Sequence, residues 1–101
     1  MGIKFQRQRV PIPNGTKRRE IPVQVPMGGP VKQNGAEVAI KGFRLQFTNG
    51  DRNIQVAQVE TTGAVVSGDE VQFSLLCQYA DRLNDDEYSG SVDVLVIADM
   101  V

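Results

Sequence analysis

The segment CQYADRLNDDEYSG, residues 77–90, holds the side chains best suited to chemistry: Asp81, Arg82, Asp85, Asp86 and Glu87 fall within seven positions, bracketed by Tyr79 and Tyr88. Three chemistries use such a set. A sugar site joins an aromatic face that packs on C–H groups to carboxylate, amide and guanidinium groups that bond hydroxyls. Tyr79, Asp81, Arg82, Asn84 and Tyr88 supply those types. A calcium site gathers several oxygens from a short loop. Counted from Asp85, oxygen-bearing side chains fall at loop positions 1, 3 and 5 and Gly90 at position 6, but position 12 is Val96, so the EF-hand pattern lacks its bidentate acid. A sandwich-type calcium loop using Asp81, Asn84, Asp85, Asp86 and Glu87 is the metal reading left open. Acid–base catalysis by Asp81 and Asp85 is the weakest of the three, because glycosidase chemistry needs two carboxyls facing across a cleft and these share one loop. A solvated turn accounts for the same charges with no ligand.

Composition narrows the field further. The chain has no histidine and a single cysteine, which excludes imidazole zinc sites, thiolate clusters, Ser-His or Cys-His pairs and an internal disulfide. Cys77 sits in an alternating apolar run and reads as a buried thiol. The expectation is therefore a protein that is not an enzyme and holds no resident cofactor, calcium at the acidic loop excepted. Ten of the eleven basic residues but only three of the twelve acidic ones lie in residues 1–52, so the two halves carry opposite net charge. Lys4, Arg7, Arg9 and the KRR run at 17–19 are the types that neutralise phosphates. Phe5 is the only aromatic among them, and the acidic half would repel the same phosphates, so nucleic acid is not the expected partner. The halves instead read as complementary, within a subunit or between subunits. No apolar run approaches the roughly 18 residues of a membrane helix, and MGIKFQRQRV lacks the apolar core of a secretory signal. A soluble chain without a membrane span or visible signal peptide is expected, its compartment unassigned.

The elements that must position these residues are strands. A length of 101 residues fits one domain, with residues 1–18 a basic amino-terminal arm or first strand and residues 19–101 the body. All five prolines lie in residues 11–36, which disfavours helix there, and Pro22 and Pro26 flanking VQV suit an edge strand. From Val38 a two-residue period takes over: Val38 and Ile40; Phe43, Leu45 and Phe47; the turn TNGD; Ile54 and Val56. Val59 is out of phase with Ile54 and Val56, so a bulge is expected near Ala57-Gln58. A tight turn at Ser67-Gly68-Asp69 precedes the longest alternating set, Val71, Phe73, Leu75, Cys77 and Tyr79, and VDVLVIA at 92–98 closes the body. With no helical periodicity anywhere, the economical fold is all-β, an antiparallel β-sandwich of about six or seven strands. Six aromatic residues and no tryptophan imply a modest core that oligomerisation would help.

From about Arg19 to Ala98 the chain resembles the H-type lectin domain, the snail-agglutinin and discoidin carboxy-terminal type of sandwich. The likeness runs through MGGPV, EVAIKGFRLQF, IQVAQVETTGAVV, VQFSLLCQY, ADRLNDDEYSG and VDVLVIA. It implies a six-stranded antiparallel sandwich, a homotrimer or hexamer, and galactose or N-acetylgalactosamine held in clefts between subunits. Carried over by position, the resemblance makes Gln55, Tyr79 and Asp81 ligand-binding residues, joined from the loop chemistry by Arg82 and Asn84. Gln55 stands where the family carries an arginine, and an amide lacks the charged fork of a guanidinium. Ala80 or Tyr79 stands where the family carries an aromatic. The function expected is a multivalent carbohydrate-binding module; the alternative is a structural or oligomerisation domain of a bacterial or phage surface assembly.

Overall fold

The computed structural model describes residues 2–48, 56–80 and 87–101. Its strands are β1 (Gly2–Gly15), β2 (Arg19–Pro26), β3 (Val31–Phe47), β4 (Val56–Thr61), β5 (Val65–Ser67), β6 (Glu70–Ala80) and β7 (Tyr88–Met100). They form two antiparallel sheets, β1-β7-β3 and β2-β6-β4, with β5 continuing the β4 edge alongside β6. The fold is an all-β sandwich of seven strands, and residues 2–15, open in sequence between arm and strand, are a strand.

Each sheet is built around one strand of strict alternation. In β6, Val71, Phe73, Leu75 and Cys77 point inward; in β7, Val92, Val94, Val96 and Ala98 do. These two rows face each other and exclude water almost completely, each large side chain contributing about 1.5–3 kcal/mol. Val10 and Ile12 from β1, Val23 and Val25 from β2, Met27 and Val31 fill the flanks. Cys77 is buried and unpaired, as its place in the alternating run implies. The molecule is long and narrow, 48 × 17 × 16 Å, because few long strands replace many short ones: at about 3.3 Å per residue, the 17 residues of β3 alone run its length.

The edges are treated differently. In β2 the prolines sit at Pro22 and Pro26, opposite Ser74 and Glu70. The Thr62 N–H bonds the Ser74 carbonyl, so even-numbered residues of β6 face β4 and β5. Odd residues of β6 therefore bond β2, whose even positions, both prolines included, face away from the sheet. The β3 edge is broken by register shifts between Val31 and Ala36 and between Ile40 and Gly42, and the β4–β5 edge is interrupted at residues 62–64. Strand β1 pairs with β7 without a shift from Gly2 to Ile12.

The bulge expected near Ala57-Gln58 is not there: β4 pairs with β6 in unbroken register from Val56 to Thr61. The extra residue lies instead in β3, where Lys41 is inserted before Gly42 and the inward parity passes from Val38 and Ile40 to Leu45 and Phe47. The tight turn at Ser67-Gly68-Asp69 is present. Ser67 pairs with Glu70, and Gly68 takes φ 62° at the first central position, as a type II′ turn requires.

Candidate functional site

The outward face of β1-β7-β3 carries a strip of side chains from three distant parts of the chain. Ser91, Asp93, Leu95, Ile97 and Asp99 of β7 are half-buried along its middle. Arg9 lies beside Asp93, Arg7 beside Leu95, Phe5 beside Ile97 and Ile3 beside Asp99; on the other flank Arg44 pairs with Ser91 and Gly42 with Asp93. The bulge sets Lys41 and Gly42 together opposite Asp93, and glycine leaves the floor bare: an added Cβ at Gly42 would touch nothing within 4 Å.

The result is an open, shallow depression of about 450 Å³ lined by Arg9, Gly42, Phe43, Arg44, Ser91 and Asp93. It adjoins a second of about 390 Å³ lined by Arg7, Gln8, Arg9, Lys41, Asp93 and Val94. Asp93 belongs to both. The Arg9 Nε–H donates to Asp93 Oδ1 at 2.9 Å, and that bond holds the Asp93 carboxyl below the usual aspartate range and the Arg9 guanidinium above its own. The charge of Lys41 pushes Asp93 the same way. The surface is thus net cationic, with Arg7, Lys41 and Arg44 around an Arg9–Asp93 pair. It offers forked guanidinium donors, a fixed carboxylate acceptor and a hydroxyl, groups that bond sugar hydroxyls and anions.

The opposite character prevails where β7 begins. The Tyr88 ring is fully buried, with the Arg19 guanidinium 4.3 Å over its centroid. Its hydroxyl donates to the Lys17 carbonyl at 2.6 Å and lies 3.2 Å from the Cys77 carbonyl. The Arg19 Nε–H donates to the hydroxyl at 3.3 Å, another Arg19 nitrogen donates to the Tyr88 carbonyl at 3.1 Å, and a third to the Pro13 carbonyl. Burial raises the Tyr88 phenol above the ordinary tyrosine value. These bonds lock the β1–β2 connection onto the body.

Of the residues selected from sequence, Tyr79 alone lies among those described; Gln55, Asp81, Arg82 and Asn84 lie outside them. Tyr79 is on the inward face of β6, half-buried, its ring 4.7 Å from Phe47 and 6.1 Å from Tyr88. Tyr88, grouped with it as a sugar-contacting aromatic, is enclosed and presents no face to a ligand. In the acidic loop only Glu87 is described, accepting a bond from Asn14 Nδ2 at 2.9 Å. Among the described residues no three cysteine, aspartate or glutamate side chains converge as a metal requires, and no helix is long and apolar enough to cross a membrane. Sequence reasoning did not single out Asp93, Arg44 or Ser91. The available signal was charge segregation: the basic half supplies both strands flanking the acidic half's β7, joined by Arg9–Asp93 and Lys32–Asp99.

No protein-family model matches the chain, and neither a curated protein nor a solved structure is significantly similar to it.

Proposed function

We propose that the chain is a non-enzymatic, lectin-like carbohydrate-binding module that works as a homo-oligomer, with the depression around Asp93 as its ligand-contacting surface. The single observation behind this reading is the convergence of Arg9, Arg44, Ser91 and Asp93 on a rigid sheet face in a shallow, open shape. Strands hold such groups more firmly than loops do, which limits the ordering needed on binding. The two antiparallel sheets are compatible with the H-type lectin resemblance in the sequence. The cationic surround departs from it, favouring glycans that bear carboxylate or sulfate over the neutral galactose class. Gln55, Asp81, Arg82 and Asn84 are a second set of ligand contacts in the same proposal, without Tyr79, which packs inward on Phe47, and with calcium at the acidic loop as their accompaniment. Association into trimers or hexamers would multiply weak sites without strengthening each one.

The test is a glycan array at neutral pH, with and without calcium, spanning neutral and acidic sugars. Retention of acidic glycans is expected, falling at least about tenfold in Arg44→Ala, since a forked charge-assisted contact is worth more than about 1.4 kcal/mol. Loss in Asp81→Ala with none in Arg44→Ala would move the site to the loop rim, and silence across the array would end the carbohydrate reading. A structural assembly domain is the second reading, favoured by the apolar side chains left open on the same sheet face: Ile3 and Phe5 are 59% and 62% exposed beside half-buried Leu95 and Ile97.

A further inference from the structure

Strand β1 is an edge whose outward backbone groups can be assigned. The Val101 N–H bonds the Pro30 carbonyl, and the Glu87 carbonyl accepts from the Thr48 N–H. Both partners flank β3, so odd-numbered residues of β7 direct their backbone groups toward β3. Even residues of β7 therefore bond β1, in which they oppose even residues, and the odd residues of β1 turn their N–H and C=O groups away from the sheet. Pro11 and Pro13 obey the rule, since at odd positions their missing N–H subtracts nothing from the β7 ladder. Ile3, Phe5, Arg7 and Arg9 consequently present a row of N–H and C=O groups with which no described strand pairs; the Arg7 and Arg9 carbonyls accept only long bonds from the exposed Gln6 and Gln8 side chains, at 3.5 and 3.4 Å, which a pairing strand can displace. Folded proteins guard such rows with prolines, bulges or inward-pointing charges. Here there is no register shift before Ile12, the prolines begin only at Pro11, and the inward lysine, Lys4, is drawn aside by its bond to the Met27 carbonyl.

We propose that this edge pairs with the β1 edge of a second copy, antiparallel about a two-fold axis through Gln6, joining two three-stranded sheets into one of six. The partner and register follow from the side chains. With Gln6 opposite Gln6 of the second copy, the outward groups pair as Ile3 with Arg9 and Phe5 with Arg7, in four hydrogen-bonded pairs that supply about eight backbone bonds. Each guanidinium then lies against an apolar or aromatic neighbour, a favourable cross-strand combination. On the inward face Lys4 meets Gln8, with no like charges opposed. Moving the axis to Arg7 stacks Arg7 on its own copy, and moving it further opposes Arg7 to Arg9. Moving it to Phe5 keeps one fewer pair and leaves Arg9 beyond Ile3 of the copy. The inference rests on the homo-oligomer part of the reading above, in which a two-fold joins copies in pairs and so fits a hexamer of two trimers but not a lone trimer, and it is independent of any sugar.

The chain's one cysteine is buried, so introduced thiols report geometry cleanly. Gln6→Cys should oxidise to a covalent dimer, because a residue on the axis in a non-hydrogen-bonded pair faces its own copy at disulfide distance. Gln8→Cys, opposite Lys4, should cross-link at least about tenfold more slowly, the two thiols being several ångströms too far apart. Phe5→Pro removes an outward N–H and no β7 bond, so it should sediment as a folded species of half the wild-type mass, whereas Gln24→Pro on β2 should sediment as wild type. Equal cross-linking at positions 6 and 8, or a Phe5→Pro chain that keeps the wild-type mass, overturns the edge pairing and leaves association through another surface standing. A wild-type chain that is monomeric throughout removes both.

Discussion

The start of β7 and the free edge of β1 are opposite ways of treating backbone polar groups. Around Tyr88 the carbonyls of Pro13, Lys17 and Tyr88 all receive side-chain donors, and one buried ring with one guanidinium closes the gap between β1 and β2. Along Ile3 to Arg9 the same kinds of group face outward, and the side chains above them are arginines and exposed apolar residues. The first region spends its polar groups on the fold; in the second no described strand takes them up. Substitutions should divide accordingly, stability changing at the first and association or ligand binding at the second.

The sharpest way to break that division is at Gly90, between Arg44 and Leu45 of β3. An added Cβ would come within 1.8 Å of the Arg44 carbonyl oxygen, a backbone clash no rotamer relieves. Gly90→Ala should destabilise by more than about 4 kcal/mol, a large part of a small domain's stability, and yield little folded protein by circular dichroism. Gly42→Ala, one bulge away over open space, should melt as wild type. An intermediate effect is expected from Tyr88→Phe, which strips the Lys17 carbonyl and the Arg19 guanidinium of a buried partner: about 1–3 kcal/mol in denaturant titration, with sedimentation unchanged. Its pH dependence carries a definite sign. The folded phenol titrates above the unfolded one, so its contribution is intact below the ordinary tyrosine value and is lost as pH rises through the folded value. Wild type should therefore show a late-titrating tyrosine by ultraviolet absorbance that Tyr88→Phe lacks.

The smallest effect belongs to the open face. Arg9 and Asp93 are solvent-exposed, so Asp93→Asn should leave the melting temperature near neutral pH unchanged. The depressed carboxyl still has a signature: its small contribution is present above the unfolded aspartate value and fades as pH falls through the folded one. A carbon-detected titration should place the Asp93 midpoint below ordinary aspartate, and Arg9→Ala should raise it.

The fold was legible in the sequence because a period of two leaves few alternatives once one face must be dry. Val71 to Cys77 and Val92 to Ala98 announce the two central strands, and Pro22 and Pro26 announce an edge. The bulge was also written there, in the change of parity between Ile40 and Leu45, but a similar change between Val56 and Val59 drew the expectation to a strand that stays in register. The site was less legible for a physical reason. Asp93 meets Arg9 across 84 positions of sequence, and only strand pairing brings them together, whereas Tyr79, Asp81, Arg82 and Asn84 are neighbours in the chain and look like a constellation before any folding is considered. Tyr79 illustrates the hazard: at the end of an alternating run, the same residue reads as a rim or as core, and it packs inward on Phe47.

The register shifts of β3, more than the prolines of β2, set how far a sheet joined at β1 can grow. A sandwich with two receptive borders would add neighbours at both and extend into a filament, as cross-β material does. In the proposed pairing β1 is the receptive border, β3 at the far side of the same sheet is broken by register shifts, and Pro22 and Pro26 cap the neighbouring β2, so a single joining event uses up the receptive side and growth by that route halts at a discrete particle.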